Sequence, residues 1–334
     1  MSSGQWLEVT PTPSGLSQFT GQSGNGGMIV AYADKMVRDA ASKKLWFIGC
    51  DHGVETRFLQ YDEATNAWSA AAASVPFGVG EGQTTNHSWE HHAYDTTRGK
   101  HWFRPYSERH FRRWASGTTW DTIDYSGVLF SPTASVGACY YPERDEILLY
   151  QLENGTKGAL IGIDPANTTS ITTYVDGSSS ILDPTPSNHV FLQYSEPRGL
   201  CYFGGGNSGD RVHTFNSAGT VTRLDDFPVY LTNTVGPAGD TAVENPSALP
   251  MVNPANGNLV VIQTAENWWE CDPTASAGSQ WSIKSGTVGI LSTNVADAFS
   301  AYGVCAMPLW DYGTTALVKN YNRNQDAQMW LWKP

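Results

Sequence analysis

The chain of 334 residues has 40% hydrophobic and 12% aromatic content and a net charge of −12. This composition predicts a globular protein and argues against a nucleic-acid backbone as the main partner, because phosphates attract basic surfaces. Thirteen Trp and 15 Tyr beside 33 Gly and 18 Pro are typical of many short strands joined by tight turns.

The segment from Tyr32 to Ala70 predicts one small antiparallel sheet. Its strands are expected at Asp34–Val37, at Leu45–Ile48, at Arg57–Tyr61 and from Trp68 onward, with polar turns between them. A sheet of this size has too little core to be stable alone. It therefore requires neighbouring sheets of the same kind, and the rest of the chain supplies them.

A polar turn that enters an apolar strand recurs about every 47 to 58 residues, which is the period of propeller blades. The turns begin at Arg38, Tyr94, Tyr141, Tyr194, Val252 and Pro308. Six units of roughly 55 residues account for the whole chain. We therefore predict an all-β, six-bladed β-propeller of four-stranded antiparallel blades, in a single domain spanning residues 1–334.

The last unit holds three predicted strands and needs a fourth. The segment 5–10, QWLEVT, resembles the outer strand of the first unit. We expect it to pair with the C-terminal blade, residues 300–334, which would close the ring and cover the open strand edges. The alternative is a frayed N-terminal tail.

Two motifs resemble the kelch repeat and the propeller of the galactose-oxidase class. The run Tyr61–Trp68, YDEATNAW, is similar to the C-terminal half of a kelch repeat, and Gly204–Gly206 after Tyr202-Phe203 resembles the kelch double glycine. The other units lack the glycine pair, so the resemblance is to a divergent kelch-like propeller. A propeller without a signal peptide and with an acidic surface rich in Ser, Gly, Thr and Asn also resembles kelch-like propellers of bacteriophage virion proteins, which serve as tail, fibre or decoration parts that contact glycans of the host surface.

The densest cluster of candidate ligands is His87–His92, at the predicted innermost strand of the second unit. Several histidines meeting in a channel could bind a metal, but hydrogen-bonded channel lining is the interpretation we prefer. The copper site of the galactose-oxidase class uses Tyr and His ligands, and the chain has no Tyr-His dipeptide. We therefore expect no metal and no cofactor.

The second unit is also locally basic. Six basic residues fall within sixteen positions: Arg98, Lys100, Arg104, Arg109, Arg112 and Arg113. One interpretation is an anion-binding surface for an acidic glycan or protein. The other is a solvated edge that discourages strand pairing.

Ligands of propellers usually sit on the face built from the loops that enter the innermost strands and the loops between second and third strands. Variable loops on a rigid scaffold commonly carry function. We expect the ligand-binding residues there to be Asp51, His52, His87, Arg104, Tyr106, Arg109, His189, Asn207, Asp210, Arg211, Glu266, Asn267 and Trp268. This mixture of guanidinium, amide, imidazole and aromatic groups suits a polyhydroxylated ligand, including an acidic one.

The preferred function is a non-enzymatic binding or structural module that contacts a surface glycan or another structural protein, in several copies within an assembly. One alternative is a carbohydrate-active enzyme, a polysaccharide lyase or glycoside hydrolase, with His87, His91 and Tyr106 as the catalytic residues. Another is an intracellular protein-interaction scaffold.

Five Cys, at positions 50, 139, 201, 271 and 305, form no CxxC pair and lie in or beside apolar strands. They are expected to be buried free thiols. The first 30 residues carry no Lys or Arg and no apolar core of a signal peptide, and no apolar run approaches the ~18 residues of a membrane span. We expect a chain made in the cytoplasm and associated with a virion or otherwise cytoplasmic, without membrane insertion.

Overall fold

The computed structural model of the chain describes residues 1–2, 4–9, 13–19, 29–30, 33–49, 56–71, 75, 88, 90–105, 108, 110–125, 136–153, 157–176, 179–182, 190–205, 210–228, 249–262, 267–285, 304–320 and 326–334.

These residues form 24 strands in six antiparallel sheets of four. In chain order the strands are β1 (Gln5–Glu8); β2 (Val37–Asp39), β3 (Lys44–Gly49), β4 (Arg57–Asp62) and β5 (Ala67–Ala70) of blade one; β6 (His92–Asp95), β7 (Lys100–Phe103), β8 (His110–Ser116) and β9 (Thr119–Asp124) of blade two; β10 (Val136–Tyr141), β11 (Glu146–Glu153), β12 (Lys157–Ile163) and β13 (Ile171–Val175) of blade three; β14 (Val190–Ser195), β15 (Leu200–Gly205), β16 (Val212–Asn216) and β17 (Val221–Arg223) of blade four; β18 (Leu249–Val252), β19 (Leu259–Ile262), β20 (Asn267–Cys271) and β21 (Trp281–Ser285) of blade five; and β22 (Val304–Leu309), β23 (Thr314–Lys319) and β24 (Gln328–Lys333) of blade six.

Helical structure in the described ranges is confined to four single turns of 3-10 helix, at Leu16–Phe19, Ser180–Leu182, Glu196–Arg198 and Trp310–Tyr312. None of the described helices has the length and apolar character needed to cross a membrane.

The innermost strands of the six sheets touch one another in a closed cycle. Strand β2 contacts β6, β6 contacts β10, and the contacts continue through β14, β18 and β22 back to β2. Parallel bridges join Lys35 to Ala306 and Glu90 to Gly137 around this cycle. The sheets therefore stand around a central channel as a six-bladed β-propeller, which confirms the predicted fold class.

The N-terminal strand closes the ring. Strand β1 pairs with β24, with Gln5 opposite Lys333 and Glu8 opposite Trp330, so blade six has the strand order β1-β24-β23-β22. The backbone N–H of Val9 continues this pairing with a 3.0 Å hydrogen bond to the Met329 carbonyl oxygen. The pairing of the N-terminal segment with the last blade is confirmed over residues 5–9, and the frayed tail is wrong.

The first strands of two blades begin later than the sequence predicts. We expected Asp34–Val37 and a strand from His87 to His92, whereas β2 starts at Val37 and β6 at His92. The residues just before these strands form backbone hydrogen bonds with the neighbouring blade instead. For example, the Ala138 N–H donates to the Glu90 carbonyl oxygen at 2.9 Å. The antiparallel ladder starts only where these inter-blade bonds end.

The repeated polar turn has the same backbone geometry in every blade. In five blades the residue directly before the second strand has a left-handed conformation, and in blade five the residue two positions before that strand has it. The φ angles of these six residues lie between 53° and 75°. These residues are Lys43, Gly99, Asp145, Gly199, Gly257 and Gly313. The sequence repeat is therefore a repeat of one tight turn. These turns share one face of the ring, here called the turn face; the opposite face is called the loop face.

One of the kelch-like glycines is required by its surroundings. Gly204 has φ of 139°, and a Cβ placed on it would lie 2.1 Å from the Arg211 carbonyl oxygen. Only glycine fits such a close approach of two strands.

Candidate functional site

A cavity of about 290 Å³ opens at the turn face, at the end of the central channel. Its lining comes from the ends of the innermost strands and the turns that follow them, in every blade except blade five among the described residues. The lining residues are Lys35, Val37, Arg38, Ala40, His92, Ala93, Tyr94, Thr96, Cys139, Tyr140, Pro142, Gln193, Tyr194, Glu196, Met307, Pro308 and Trp310.

The inner end of the cavity is closed by a buried ion pair. The Lys35 ammonium donates to the carbonyl oxygens of Ala138, at 2.6 Å, and Leu192, at 2.8 Å, and lies 3.3 Å from a carboxylate oxygen of Glu90. The Gln193 amide donates to the other oxygen of Glu90 at 2.6 Å. One lysine from blade one is thus held by blades two, three and four across the channel.

Burial governs the electrostatics of this ion pair. Desolvation raises the pKa of the Glu90 carboxyl above its ordinary value, although Lys35 and the Gln193 amide act in the opposite direction. Desolvation and the nearby Glu90 also raise the pKa of the Asp34 carboxyl well above its ordinary range. The Lys35 ammonium therefore supplies the positive charge that stabilises the buried Glu90 carboxylate and the carbonyl oxygens around it, away from water.

Aromatic rings form much of the cavity wall, and the tyrosine hydroxyls are engaged with neighbouring turns. The Tyr140 hydroxyl donates to Asp145 at 2.7 Å, and the Tyr194 hydroxyl donates to Glu143 at 2.8 Å. The Tyr94 hydroxyl hydrogen bonds to Asp39. Because the hydroxyls are fixed outside, the rings offer mainly apolar surface to the cavity.

Arg38 holds blades one and six together at the cavity rim. Its guanidinium donates to Glu63 at 2.7 Å and to Asp311 at 2.5 Å. Burial of Asp311 would raise the pKa of that carboxyl, but the hydrogen bonds from Arg38 and Lys43 outweigh it and lower the pKa to about 2. The Arg38 charge is therefore already compensated by the protein.

Glu196 is different, because its carboxylate has neither an ion pair nor a side-chain hydrogen bond among the described residues. It begins the turn after β14 and is exposed at the cavity mouth. Partial desolvation, followed by repulsion from Asp311 and Glu143, raises its pKa above the ordinary value. It is thus an acceptor available to a ligand in the cavity.

Two histidines of blade two lie in its interior. The Nδ1 atom of His92 is 3.4 Å from Nε2 of His101. Burial lowers the pKa of His92 well below its ordinary value, with repulsion from His101, His91 and Lys35 adding to it, and burial alone lowers that of His101 to about 3. Both rings are therefore neutral at pH 7. Among the described residues, no group of three or more His, Cys, Asp or Glu is arranged to hold a metal.

Most residues of the site predicted on the loop face lie outside the described residues. These are Asp51, His52, His87, Tyr106, Arg109, His189, Asn207 and Glu266, together with the side chain of Asn267. The five that are described in whole or part lie in three blades: Arg104 follows β7, Asp210 and Arg211 precede β16, and Asn267 and Trp268 begin β20.

Two of these residues have structural contacts. Arg104 is 1% exposed, and its Nε lies 3.2 Å from the Tyr125 hydroxyl. Trp268 packs edge-on against Trp332 of blade six with ring centroids 5.3 Å apart. The proposed catalytic His91 is also buried, with Nδ1 2.8 Å from the Arg104 carbonyl oxygen. Trp268 is partly buried in this contact between blades five and six.

The basic residues of blade two have partners of their own. Arg98 bonds to Asp95 and Asp145, Arg112 to Glu108, and Arg113 to Asp121. The Lys100 ammonium donates to the Ala115 carbonyl oxygen at 3.0 Å. Apart from Arg109, which lies outside the described residues, this pattern favours the structural interpretation over an anion-binding surface.

The turn-face cavity was not predicted from the sequence. The sequence did carry a signal for it, because tyrosine is the last or next-to-last residue of three innermost strands, at Tyr94, Tyr140-Tyr141 and Tyr194. Tyr94, Tyr141 and Tyr194 served only as markers of the repeated turn, whereas the structure places Tyr94, Tyr140 and Tyr194 around one cavity.

Comparison with known proteins supports the propeller fold. No protein-family model matches the sequence, and no curated protein does. A structural-genomics protein of unknown function from Bacteroides thetaiotaomicron is similar in structure, with TM-score 0.55, 10% identity and coverage of 98% of this chain and 76% of the other. A gluconolactonase from Xanthomonas campestris matches with TM-score 0.50, 12% identity and coverage of 100% and 99%.

A virginiamycin B lyase from Staphylococcus aureus has TM-score 0.48, 12% identity and 98% coverage of both chains. At 10% and 12% identity, the structural-genomics protein and the gluconolactonase show a shared fold and nothing more. Neither the structural-genomics protein nor the gluconolactonase is described as a kelch or bacteriophage protein, so the resemblance to those two groups stays a prediction.

Proposed function

We propose that the protein is a non-enzymatic binding module whose turn-face cavity receives one sugar residue of a surface glycan. The observation that carries this proposal is the available carboxylate of Glu196 at the mouth of an aromatic-walled cavity. The cavity volume of about 290 Å³ lies at the lower end of small-molecule sites, which usually combine apolar walls with a few polar groups.

The chemistry of a sugar ring matches both parts of this cavity. Its C–H face packs on aromatic rings such as those of Tyr194 and Trp310, and its hydroxyl groups donate to a carboxylate such as Glu196. The two cations in the lining, Lys35 and Arg38, are already paired within the protein. The cavity therefore favours a neutral hydroxylated ligand over an anionic one.

The experiment compares two variants in the turn after β2. Ala40 and Ala41 are neighbouring exposed residues, and Ala40 lines the cavity while Ala41 is not among its lining residues. On a glycan array and in adsorption to cells, we expect Ala40→Trp to lose binding by at least about tenfold, because its indole narrows the mouth. Ala41→Trp, the matched control, should bind like the wild type.

Three outcomes would overturn the proposal. If the wild type binds no glycan, the sugar ligand is wrong. If it binds a protein of a larger assembly instead, the module is an assembly component. If both variants bind glycan like the wild type, the ligand site lies elsewhere, and the loop-face residues become the first to mutate.

A single sugar site of this size would bind weakly, and several copies in one assembly would raise the overall affinity. A bacteriophage virion is one such assembly, and its support here is the resemblance seen in the sequence. Gene neighbours that encode capsid and tail proteins would support that setting, and neighbours that encode sugar-degrading enzymes would oppose it.

The enzymatic alternative has less support from the described geometry. Glycoside hydrolysis commonly uses two carboxylates across the scissile bond, and Glu196 is the one carboxylate among the described lining residues. If the wild type cleaves the glycan that it binds, this alternative replaces the proposal, with His87, His91 and Tyr106 to be tested.

A further inference from the structure

Two buried cysteines meet between blades three and four. Cys139 lies in β10, the innermost strand of blade three, and Cys201 lies in β15, the second strand of blade four. Their sulfur atoms are 3.5 Å apart, although the residues are separated by 62 positions in the chain. Both are free thiols in the structure.

We propose that Cys139 and Cys201 are an oxidisable dithiol, in which peroxide forms a disulfide that joins blades three and four. A disulfide has an S–S distance of about 2.05 Å, so the sulfur atoms must approach by roughly 1.5 Å. At 3.5 Å the two sulfur atoms are in direct van der Waals contact.

The cavity gives an oxidant a route to one of the two thiols. Cys139 lines the cavity and is 4% exposed, whereas Cys201 is 0% exposed. A small neutral oxidant such as hydrogen peroxide fits this route. Cys139 is therefore the sulfur that reacts first.

The chemistry balances in two steps. The Cys139 thiol attacks hydrogen peroxide, which yields a sulfenic acid and one water. The Cys201 sulfur then attacks that sulfenic sulfur, and the hydroxyl leaves as a second water, with the proton supplied by the Cys201 thiol. Overall the two thiols lose two electrons and two protons, and peroxide is reduced to two molecules of water.

Burial of Cys201 slows the second step. Desolvation, followed by the hydrogen bond and charge of Cys139, raises the pKa of the Cys201 thiol well above its ordinary value. The thiolate is the reactive form, so the linkage forms slowly at pH 7 and faster as the pH rises.

The test uses the folded protein and hydrogen peroxide, followed by denaturation, alkylation and peptide mass spectrometry without reductant. We expect one linked peptide pair that contains Cys139 and Cys201. Cys139→Ser should abolish this pair. Cys271→Ser, which removes a buried thiol of blade five, is the matched control and should retain it.

A second measurement tests the route. Ala40→Trp, which narrows the cavity mouth, should slow the linkage several-fold, while Ala41→Trp should leave its rate unchanged. The proposal is overturned if every cysteine can still be alkylated after peroxide treatment, or if Cys139 proceeds to sulfinic acid without a link. Equal rates in Ala40→Trp and the wild type would exclude the cavity as the route.

Discussion

The indole of Trp6 stacks on the indole of Trp332, with ring centroids 5.3 Å apart and planes inclined by 16°. The two residues stand directly opposite each other where β1 pairs with β24. Trp268 of blade five meets the same Trp332 edge-on. Three indoles from three separate parts of the chain thus secure the strand that closes the ring.

Replacing Trp6 should weaken the closure. Truncation of a large buried aromatic residue typically costs about 3–5 kcal/mol, and because Trp6 is only partly buried we expect Trp6→Ala to cost about 2 kcal/mol. Leu7 lies on the other face of β1 and is 48% exposed, so Leu7→Ala is the control and should change little. Urea unfolding measures both. Equal midpoints for the two variants, or an unchanged midpoint after deletion of residues 1–12, would contradict this role.

Removing the channel ammonium should be costly. Lys35→Met leaves the buried Glu90 carboxylate unpaired, and breaking a buried ion pair on one side costs about 3–5 kcal/mol. Adding Glu90→Gln removes the orphaned charge, so the double variant should regain part of the lost stability. Lys43→Met, at an exposed ion pair of the same blade, is the control and should unfold near the wild-type midpoint. A double variant no more stable than Lys35→Met would argue against the pairing.

The buried histidines predict how stability depends on pH. Because burial lowers the pKa of His101 from 6.5 to about 3, the unfolded chain takes up a proton before the folded chain does. The stability that this residue contributes is therefore lost as the pH falls below 6.5, by about 2 kcal/mol at pH 5. The pKa values of the Glu90 and Asp34 carboxyls are raised in the folded protein, so these two groups make the folded state more stable as the pH falls.

Comparison with a variant separates the histidine from the carboxyls. His101→Gln should lose less unfolding free energy than the wild type between pH 7.5 and pH 5, measured by urea titrations at each pH. The same decrease in both proteins would show that His101 is not the source.

Without added oxidant, the cysteines should all be free thiols. Four of the five are buried and unpaired in the described part of the chain, and Cys50 lies outside it. Alkylation of the denatured, unreduced protein should modify all five, as counted by mass spectrometry. A pair that resists alkylation until reductant is added would contradict this expectation.

The sequence predicted those parts of the fold that local chemistry determines. The turn repeat predicted six blades because each copy encodes the same left-handed residue before the second strand, as at Lys43 and Gly199. The likeness of QWLEVT to an outer strand predicted the closure. Both signals depend on neighbours within a few residues.

The site depends instead on residues from different blades. Lys35 and Glu90 lie in different repeat units, and their pairing follows only from the order of blades around the channel. Alternation along β20 could not decide whether Trp268 faced solvent or the neighbouring blade, because both faces of a propeller blade are packed. Arg104 is buried and Trp268 is partly buried against blade six, so replacing both with alanine would test packing as well as binding.

The lysine in the channel also imposes an order on folding. Its ammonium is held by carbonyl groups 103 and 157 residues further along the chain. During synthesis from the N terminus, the first blades carry this charge without its last acceptor until Leu192 has left the ribosome. Contacts over such separations form late, because a long loop must first be closed. A nascent arc of three blades therefore lacks the last of these acceptors, and docking of the fourth blade supplies it.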